Sequence, residues 1–499
     1  MHRVSTATVF ALFALTACAE PPLTSEPVGL TRFGGTAANF ASDGSDSYLV
    51  RFKGQIPADF SAQVAKLGGE VIFAHAGVGI AAVAGIGDAG AATLAAHSGI
   101  AAVDPDAYTE QESVLASDAT EVATSPESPD APNLAFFFPR QWNHAAVGSA
   151  AAWAAGKRGN ANVKVGILDT GIDYLHPDLV GRVDLELSRS FLSAAENARV
   201  PAGAHLVADL NYHGTHVAST VASNGYINAG VSSNVTLVGL KVCAPGTAAN
   251  GFRGTCPTSG TLAAILFAAD NGLHVINLSL GGTFLRRQAS AAGGFGPSFL
   301  ATINQVFNYA KTHGTTVVVS AGNSALDIDH DGNGYKSYCS ASAVICASAT
   351  GPTDARRNAA GTAFVLVGGA YQDIQNIDAL AGYSNYGRSA ISVAAPGGNV
   401  LPVWQSCSGF TIHTGLTGCR TRFYTSPTSW SGSTVGVSGT SMAAPHVTGL
   451  AALIAGEVGR SPAQIMARLQ QTADDLGQVG TDPAYGKGRI NVARAMGVN

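Results

Sequence analysis

Three short segments carry an acid, a base and a hydroxyl, the set that nucleophilic catalysis by serine requires. Asp169 opens the segment DTGID, His213 opens HGTHVA, and Ser441 lies within GTSMAAPH. A serine hydroxyl is a weak nucleophile until an adjacent base takes its proton, and a third group can orient that base. Each segment by itself also fits a structural role, since Asp, Ser and Thr often cap helices and turns. Together they indicate a serine-dependent hydrolase.

Each of these segments lies at the edge of a predicted strand or helix. Apolar, β-branched runs predict buried strands, and Ala-rich segments between them predict helices. The predicted strands are 163–168, 237–242, 274–278, 315–319 and 344–347. The predicted helices are 214–223, 259–271, 299–313 and 441–455. This alternation favours an α/β fold with a parallel sheet covered on both faces, in which sites lie at the carboxyl ends of the strands.

In the order Asp, His, Ser, the segments resemble the signature motifs of subtilisin-like serine proteases, over residues 140–498. The resemblance implies a three-layer subtilisin-like α/β fold and a serine endopeptidase that works through an acyl-enzyme. It implies that Ser441 is the nucleophile, His213 the general base and Asp169 the residue that orients His213. Spacing does not tell which histidine of HGTH is the base. The family pattern selects the first and leaves His216 a structural role.

The same resemblance implies an oxyanion site and a substrate-binding strand. Asn323, at the end of the run VVVSAGN, would donate from its side-chain amide to the oxyanion, together with the backbone N–H of Ser441. The segment INLSLGG at 276–282 resembles the family's strand that pairs with an extended peptide. The residues expected to bind substrate are Ser279, Leu280, Gly281, Ala321 and Gly322. Because the expected pocket residues are apolar and small, we expect a large apolar side chain before the scissile bond.

The chain before the catalytic segments divides into a small domain and a linker. Residues 46–108 show the order strand, helix, strand, strand, helix, strand, which matches a ferredoxin-like α+β plan. By resemblance to the family, this domain is an inhibitor-type propeptide, and the slow folding of parallel sheets is a physical reason for such a helper. Residues 109–135 are rich in Ser, Thr, Pro, Glu and Asp, which predicts an exposed, cleavable linker. Residues 136–499 are then the catalytic domain.

The first residues predict an exported, lipid-anchored protein. A short basic start precedes the apolar run 9–15, which is too short to span a bilayer, and a small residue then precedes Cys18. This pattern resembles a bacterial lipoprotein signal, with residues 1–17 removed, Cys18 lipidated and 18–45 serving as a tether. A simple signal peptide with an incidental cysteine is the alternative. The lipid would be the only membrane anchor, and complete maturation would release the enzyme from it.

The remaining six cysteines fall into local pairs along the sequence. They are Cys243 with Cys256, Cys339 with Cys346, and Cys407 with Cys419. An even number in an exported chain favours disulfides, although six cysteines allow fifteen connectivities. Zinc binding is disfavoured because no cysteine pair or Cys/His cluster has zinc spacing.

A structural calcium site is a further expectation, while catalysis itself requires no cofactor. Asp327, Asp329 and Asp331 alternate before a glycine turn, as oxygen ligands do at the start of a calcium loop. The Glu expected at the twelfth position is replaced by Tyr338, and a solvated acidic turn is the alternative. Asp178 matches a calcium ligand of the family, but the loop that would complete that second site is shortened.

Composition and charge limit the partners. Charged residues make up 12% of the chain, the net charge is −5, and no run of Lys and Arg is long enough to follow a phosphate backbone. These features argue against nucleic acid. We expect protein or peptide substrates, the propeptide as an intramolecular inhibitor, and a monomer. The alternative to an enzyme is a surface or binding protein that kept the fold and lost activity. A chain that cleaves only its own linker fits the sequence equally well.

Overall fold

The computed structural model describes most of the chain. The described residues are 46–111, 115–116, 120–124, 131–246, 253–285, 297–332, 334–336, 338–410, 419, 424–426 and 429–498. The predicted signal peptide, Cys18 and the tether lie outside them. Within these ranges no helix has the length and apolarity needed to cross a membrane.

Residues 47–105 form a small α+β domain. Its elements are β1 (Ser47–Phe52), α1 (Phe60–Lys66), β2 (Glu70–His75), β3 (Ile80–Ala84), α2 (Gly87–Ala95) and β4 (Ile100–Pro105). The strands pair antiparallel in the order β2-β3-β1-β4, and the element order is the predicted one. Helix α2 begins at Gly87, although the glycines in its first turn have low helix propensity.

Alternating side chains of β1 belong to two different cores. Tyr48, Val50 and Phe52 lie in the core of the small domain. Leu49 points to the opposite face of the sheet, as strand geometry requires, and packs into a core that is shared with the rest of the chain.

The remaining strands and helices belong to the linker and the large domain. The strands are β5 (Tyr108–Gln111), β6 (Leu115–Ala116), β7 (Thr120–Thr124), β8 (Lys164–Asp169), β9 (Arg189–Ser190), β10 (Thr236–Lys241), β11 (Thr255–Pro257), β12 (Val275–Leu278), β13 (Leu280–Gly281), β14 (Thr283–Leu285), β15 (Thr316–Ser320), β16 (Gly334–Lys336), β17 (Ile345–Thr350), β18 (Leu366–Val367), β19 (Ala370–Tyr371), β20 (Val393–Pro396), β21 (Val403–Cys407), β22 (Tyr424–Ser426) and β23 (Ser429–Ser438). The helices are α3 (Trp142–Val147), α4 (Ser149–Ala154), α5 (Ala194–Asn197), α6 (His213–Val221), α7 (Thr258–Asp270), α8 (Pro297–Thr312), α9 (Thr440–Val458), α10 (Pro462–Gln471) and α11 (Val492–Ala495).

A parallel sheet forms the centre of the large domain, with strand order β20-β17-β15-β12-β8-β10-β9. Both faces are buried, so its strands are apolar throughout rather than alternating. Along β8, Val165 and Ile167 pack on the side of α6 and α9. Leu168 packs on the other side, against the core of α7 and α8. The predicted five strands and four helices are all present, each within about three residues of the expected ends.

The small domain docks on the large one through the second face of its sheet. Leu49, Ile72 and Ile80 share a core with α7 and α8. At the edge of this contact, Nε2 of buried His75 lies 3.1 Å from Oδ2 of Asp270. Because the small domain is docked in this way, the chain segment that follows it has little conformational freedom.

The first part of the predicted linker is not exposed. Thr109 and Gln111 of β5 are buried, because β5 forms an antiparallel sheet between β11 and β13 of the large domain. Further along, β6 and β7 pair with β23. The expectation of an exposed segment starting at residue 109 is therefore wrong, because backbone pairing with the large domain outweighs the polar composition.

Candidate active site

Asp169 and His213 form a buried hydrogen-bonded pair at the carboxyl end of the central sheet. Asp169 is the last residue of β8, and His213 is the first residue of α6. Nδ1 of His213 lies 2.8 Å from Oδ1 and 3.0 Å from Oδ2 of Asp169. Oδ1 also accepts from the backbone N–H of Thr170 at 2.7 Å. The carboxylate therefore holds the imidazole with its proton on Nδ1 and leaves Nε2 as the basic nitrogen.

Nε2 of His213 has no hydrogen-bond partner among the described residues. Ser441 is the second residue of α9, which packs against α6. Its Oγ donates to the carbonyl of Ser279 at 3.3 Å, and Oγ of Ser279 donates to the carbonyl of Ser441 at 2.8 Å. The serine hydroxyl thus lies on the side of the predicted substrate strand, and catalytic hydrogen bonds often tighten only when substrate binds.

Asp209, which the sequence analysis did not identify, joins the two segments that carry Asp169 and His213. Oγ1 of Thr170 donates to its Oδ1 at 2.8 Å, while the backbone N–H and Oγ1 of Thr215 donate to its Oδ2 at 2.9 and 2.6 Å. Burial raises the pKa of Asp209, and the bonds from Thr215 and Thr170 partly oppose that rise. The sequence signal that could have identified Asp209 is an acidic residue four positions before His213.

His216 has a different environment from His213. Its Nε2 donates to the carbonyl of Val403 at 3.1 Å. Burial lowers the pKa of His216 to about 3. A histidine that is neutral and committed to a backbone carbonyl supports the structure of the helix, as predicted for the second histidine of HGTH.

Asn323 follows β15, and two hydrogen bonds fix the orientation of its amide. The backbone N–H and Oγ1 of Thr440 donate to Oδ1 of Asn323 at 2.8 and 2.9 Å. Oγ1 of Thr440 also accepts from the N–H of Gly322 at 3.0 Å. Because Oδ1 faces the residue before Ser441, the Nδ2 hydrogens are directed to the other side of the amide, as an oxyanion donor requires.

The predicted substrate strand contacts a segment of the chain itself. Leu280 and Gly281 form β13 and pair with Gln111 and Glu110 of β5. Ser279 lies between β12 and β13 and contacts Ser441 as described above. The two other predicted binding residues, Ala321 and Gly322, connect the end of β15 to Asn323.

Strand β5 lies in a cleft between two strands of the large domain, and the strand on its second side was not predicted from the sequence. Strand β11 pairs with β5 on the side opposite β13, with Cys256 opposite Thr109. The backbone N–H of Gln111 also donates to the carbonyl of Gly254 at 2.8 Å. The three-residue strand carries no apolar run, so periodicity gave no signal for it.

The predicted calcium ligands do not form a cluster. Oδ1 of Asp327 accepts from the N–H of Asp329, and its Oδ2 lies 2.8 Å from Nδ1 of His330, which lowers the pKa of Asp327. Asp329 accepts from the N–H and the hydroxyl of Ser389 at 3.1 and 2.6 Å. Within the described ranges, no group of three or more His, Cys, Asp or Glu side chains, with Asp331 among those considered, could hold a metal ion. The calcium prediction receives no support here.

Hydrogen-bond donors of the protein also surround the carboxylate of Asp178, the other calcium ligand suggested by the resemblance. Its Oδ1 accepts from the N–H groups of Tyr226 and Ile227 at 3.0 and 2.8 Å. Its Oδ2 accepts from the N–H of Asn228 and the hydroxyl of Ser406 at 3.0 and 2.8 Å. The shortened loop thus places its own donors around the carboxylate.

The predicted local pairing of the cysteines is confirmed. Among the described residues the disulfide bonds are Cys243–Cys256, Cys339–Cys346 and Cys407–Cys419. Cys256 lies in β11, so the first bond fixes one wall of the cleft. Sγ of Cys339 lies 3.2 Å from the carbonyl of Ser320, at the end of β15.

Comparison with known proteins gives one consistent result. A model of the subtilase family, peptidase S8, matches residues 160–488. Thermitase of Thermoactinomyces vulgaris is 31% identical over 368 residues, which cover 73% of this chain and 99% of that protein. A thermophilic serine proteinase of Bacillus sp. (strain AK1) is 31% identical over 350 residues, 69% of this chain, although the match spans only 64% of that relative.

A solved structure shares the fold. The epidermin leader peptide processing serine protease of Staphylococcus aureus superposes with a TM-score of 0.65 at 20% identity, over 90% of this chain and 97% of that one. The likeness confirms the predicted three-layer fold. The family match itself contains Asp169, His213, Asn323 and Ser441, and it does not include the small domain.

Proposed function

The chain belongs to the subtilase family of serine endopeptidases, and on that premise we propose that Asp169, His213 and Ser441 are the triad with which it hydrolyses peptide bonds in proteins. One observation carries the proposal. The buried carboxylate of Asp169 accepts the Nδ1 proton of His213, while Nε2 is unpaired among the described residues. A base held in this tautomer can take the proton of a neighbouring hydroxyl.

The reaction follows from what each group can do. Oγ of Ser441 attacks the peptide carbonyl as its proton passes to Nε2 of His213, and Asp169 stabilises the imidazolium. His213 then gives the proton to the leaving amine, and an acyl-enzyme remains on Ser441. Water hydrolyses the ester with His213 again as the base. In both steps the Nδ2 group of Asn323 and the backbone N–H of Ser441 donate to the oxyanion.

The position of β5 supports an intramolecular inhibitor and autoprocessing. Strand β5 is paired on both edges, as an extended peptide substrate would be. Its last residue, Gln111, is close enough to the hydroxyl of Tyr212, the residue before His213, to affect the pKa of Tyr212. Leu115 pairs with Ser438, which lies three positions before Ser441 in the chain. We therefore expect the maturation cleavage between Gln111 and Leu115.

Export and lipid anchoring belong to the same proposal. The disulfide bonds among the described residues support an oxidising compartment outside the cytoplasm. The lipoprotein-like sequence around Cys18 remains the basis for the anchor. Cleavage after Gln111 would leave the lipid on the small domain and release a monomeric catalytic domain.

The test is expression of the wild type and of Ser441→Ala in an export-competent host, with intact-mass analysis and a casein digestion assay. We expect the wild type to be cut between Gln111 and Leu115 and to digest casein. Ser441→Ala should stay full length and inactive. If both proteins stay full length and inactive with their disulfides formed, the chain is a binding protein on a protease fold.

A matched Cys18→Ser variant tests the anchor separately. We expect the wild-type small domain in the membrane fraction with the mass of a lipidated cysteine. The variant should lack that mass increment and leave the membrane fraction. Equal masses and equal fractionation would show that the cysteine is incidental.

A further inference from the structure

A buried asparagine outside the proposed triad holds the loop that carries Asn323. This residue is Asn385, whose side chain is completely buried and which lies in the chain between β19 and β20. The loop is 321–326, which follows β15 and is irregular in structure. Because no ladder of backbone hydrogen bonds fixes an irregular loop, its polar backbone groups need partners from neighbouring segments.

Asn385 supplies such partners on both sides of Asn323. Its backbone N–H and its Nδ2 donate to carbonyls that precede Asn323, while its Oδ1 accepts from two N–H groups that follow Asn323. The four backbone partners are the carbonyls of Gly322 and Ala321, both at 2.9 Å, and the N–H groups of Ser324 and Leu326, at 3.1 and 2.9 Å. One side chain therefore fixes the loop before and after the residue that it presents.

The loop has a strained backbone, which makes this support necessary. Ala325 has a φ of 53°, in the left-handed region that residues other than glycine rarely adopt. Its N–H donates to the carbonyl of Tyr383 at 2.8 Å, and the N–H of Tyr386 donates to the carbonyl of Leu326 at 3.0 Å. A strained conformation persists only where its surroundings determine it fully, and here the segment 383–386 does so.

The same segment also reaches the turn before Ser441. The hydroxyl of Tyr383 donates at 3.0 Å to the carbonyl of Gly397. That carbonyl accepts in addition from the N–H of Gly439 at 2.8 Å, two residues before Ser441. The segment is itself attached to the central sheet, because Oγ of Ser384 accepts from the N–H of Ala349 in β17 at 3.1 Å. It therefore connects the loop of Asn323 with the backbone that carries Ser441.

We propose that Asn385 is a positioning residue that sets the Nδ2 group of Asn323 at the oxyanion, while Tyr383 supports the second donor, the N–H of Ser441. The inference rests on the proposed function, because it takes Asn323 as an oxyanion donor. Misplacing a group by about 1 Å can cost about 10² in rate. Since the oxyanion forms only during the reaction, the loss should appear in kcat and not in KM.

The test is a double-mutant cycle of Asn385→Ala with Asn323→Ala, measured on a peptide p-nitroanilide. Titration with phenylmethylsulfonyl fluoride counts the folded active sites of each enzyme. We expect Asn385→Ala alone to lower kcat about 10- to 100-fold with little change in KM. In the Asn323→Ala background the same change should lower kcat less than about two-fold, because the group that Asn385 positions is already absent.

Matched variants separate this role from a general structural one. Asn385→Asp keeps an oxygen for the N–H groups of Ser324 and Leu326 but loses the donor to Ala321, so it serves as a second test where the alanine variant does not fold. It should show the same dependence on Asn323. The control is Asn358→Ala, which removes an exposed asparagine that bonds Thr362 within its own loop and should keep the wild-type kcat.

The turn before Ser441 gives a second comparison. The fall in kcat that Tyr383→Phe causes should be equal with and without Asn323, because it acts on the N–H of Ser441. An equal fall for the Asn385 variants in both backgrounds, or a lower melting temperature with kcat unchanged, overturns the positioning role and leaves the protease intact. A wild type that cleaves no peptide, like Ser441→Ala, overturns the proposed function and the positioning role with it.

Discussion

We predict that the docking of the small domain depends on pH through the buried carboxyl of Asp106. Its carboxylate bridges the two domains, because Oδ1 accepts from the backbone N–H of Ser259 at 3.0 Å and Oδ2 accepts from the hydroxyls of Ser259 and Ser47. Burial nevertheless raises its pKa from 3.8 to about 6, since these hydrogen bonds compensate only part of the lost hydration. One pKa unit corresponds to about 1.4 kcal/mol, so ionisation in this site costs on the order of 3 kcal/mol.

The sign of the effect follows from linkage. A carboxyl whose pKa is raised by folding contributes its full stability below the unfolded pKa of 3.8 and loses that contribution as the pH rises through about 6. Asp106→Asn removes the ionisation but keeps an oxygen that can accept from the N–H of Ser259. In a Ser441→Ala background, which prevents cleavage, the Asn variant should therefore equal its parent near pH 4 and be more stable at pH 7.5.

Thermal unfolding from pH 4 to 8 measures this difference. We expect the melting temperature of the Asn variant to exceed that of its parent by several degrees at pH 7.5 and to converge with it at pH 4. Asp106→Ala is the control, because it removes the cap of α7 and should be destabilising at low pH as well. A constant difference between Asn and Asp across the range, or a less stable Asn variant at pH 7.5, would refute the reasoning.

Three further predictions concern the site itself. Asn323→Ala should lower kcat about 10²- to 10³-fold with little change in KM, measured on a peptide substrate, and a change confined to KM would argue against an oxyanion role. Asp209→Ala leaves buried donors of Thr215 unpaired, so we expect a loss of about 1–3 kcal/mol in unfolding free energy in the Ser441→Ala background, and a loss below about 1 kcal/mol would contradict the bridging role. Gly214→Ala would bring a Cβ within 2.1 Å of the carbonyl oxygen of Gly171, so the folding yield and the casein activity should both be lost. The control is Gly54→Ala, which has open space around it and should behave as the wild type in both measurements.

The central elements were predictable because they carry strong local signals. Strands β8, β12 and β15 are apolar on both faces, which only a covered parallel sheet explains. The catalytic segments were found because rare combinations of residues mark them. Their identification needed the family resemblance, however, since neither His213 nor His216 is distinguished by spacing. The two differ in their hydrogen bonds, because His216 contacts the carbonyl of Val403 and His213 contacts the carboxylate of Asp169.

What the sequence did not predict depends on partners far away in the chain. Strand β11 has three residues, and it is a strand only because β5 pairs with it. The linker residues Thr109 and Gln111 are polar, yet they are buried because two strands of the large domain satisfy their backbone groups. Local composition cannot report a hydrogen-bonding partner that lies about 150 residues away. For the same reason, the sequence around Asp178 does not reveal the loop donors that surround its carboxylate.

If the chain processes itself as proposed, cleavage and release of the small domain are separate events. Before cleavage, β5 is tethered in the cleft, and its effective concentration is set by the chain rather than by dilution. Cleavage would leave intact the apolar contact of Leu49 and Ile80 with α7 and α8, so the cut product would continue to block the cleft. Release then requires an interaction that becomes unfavourable and weakens docking while the apolar contact stays in place. The ionised carboxylate of Asp106 weakens docking in this way above pH 6, and it favours release of the small domain at neutral rather than acidic pH.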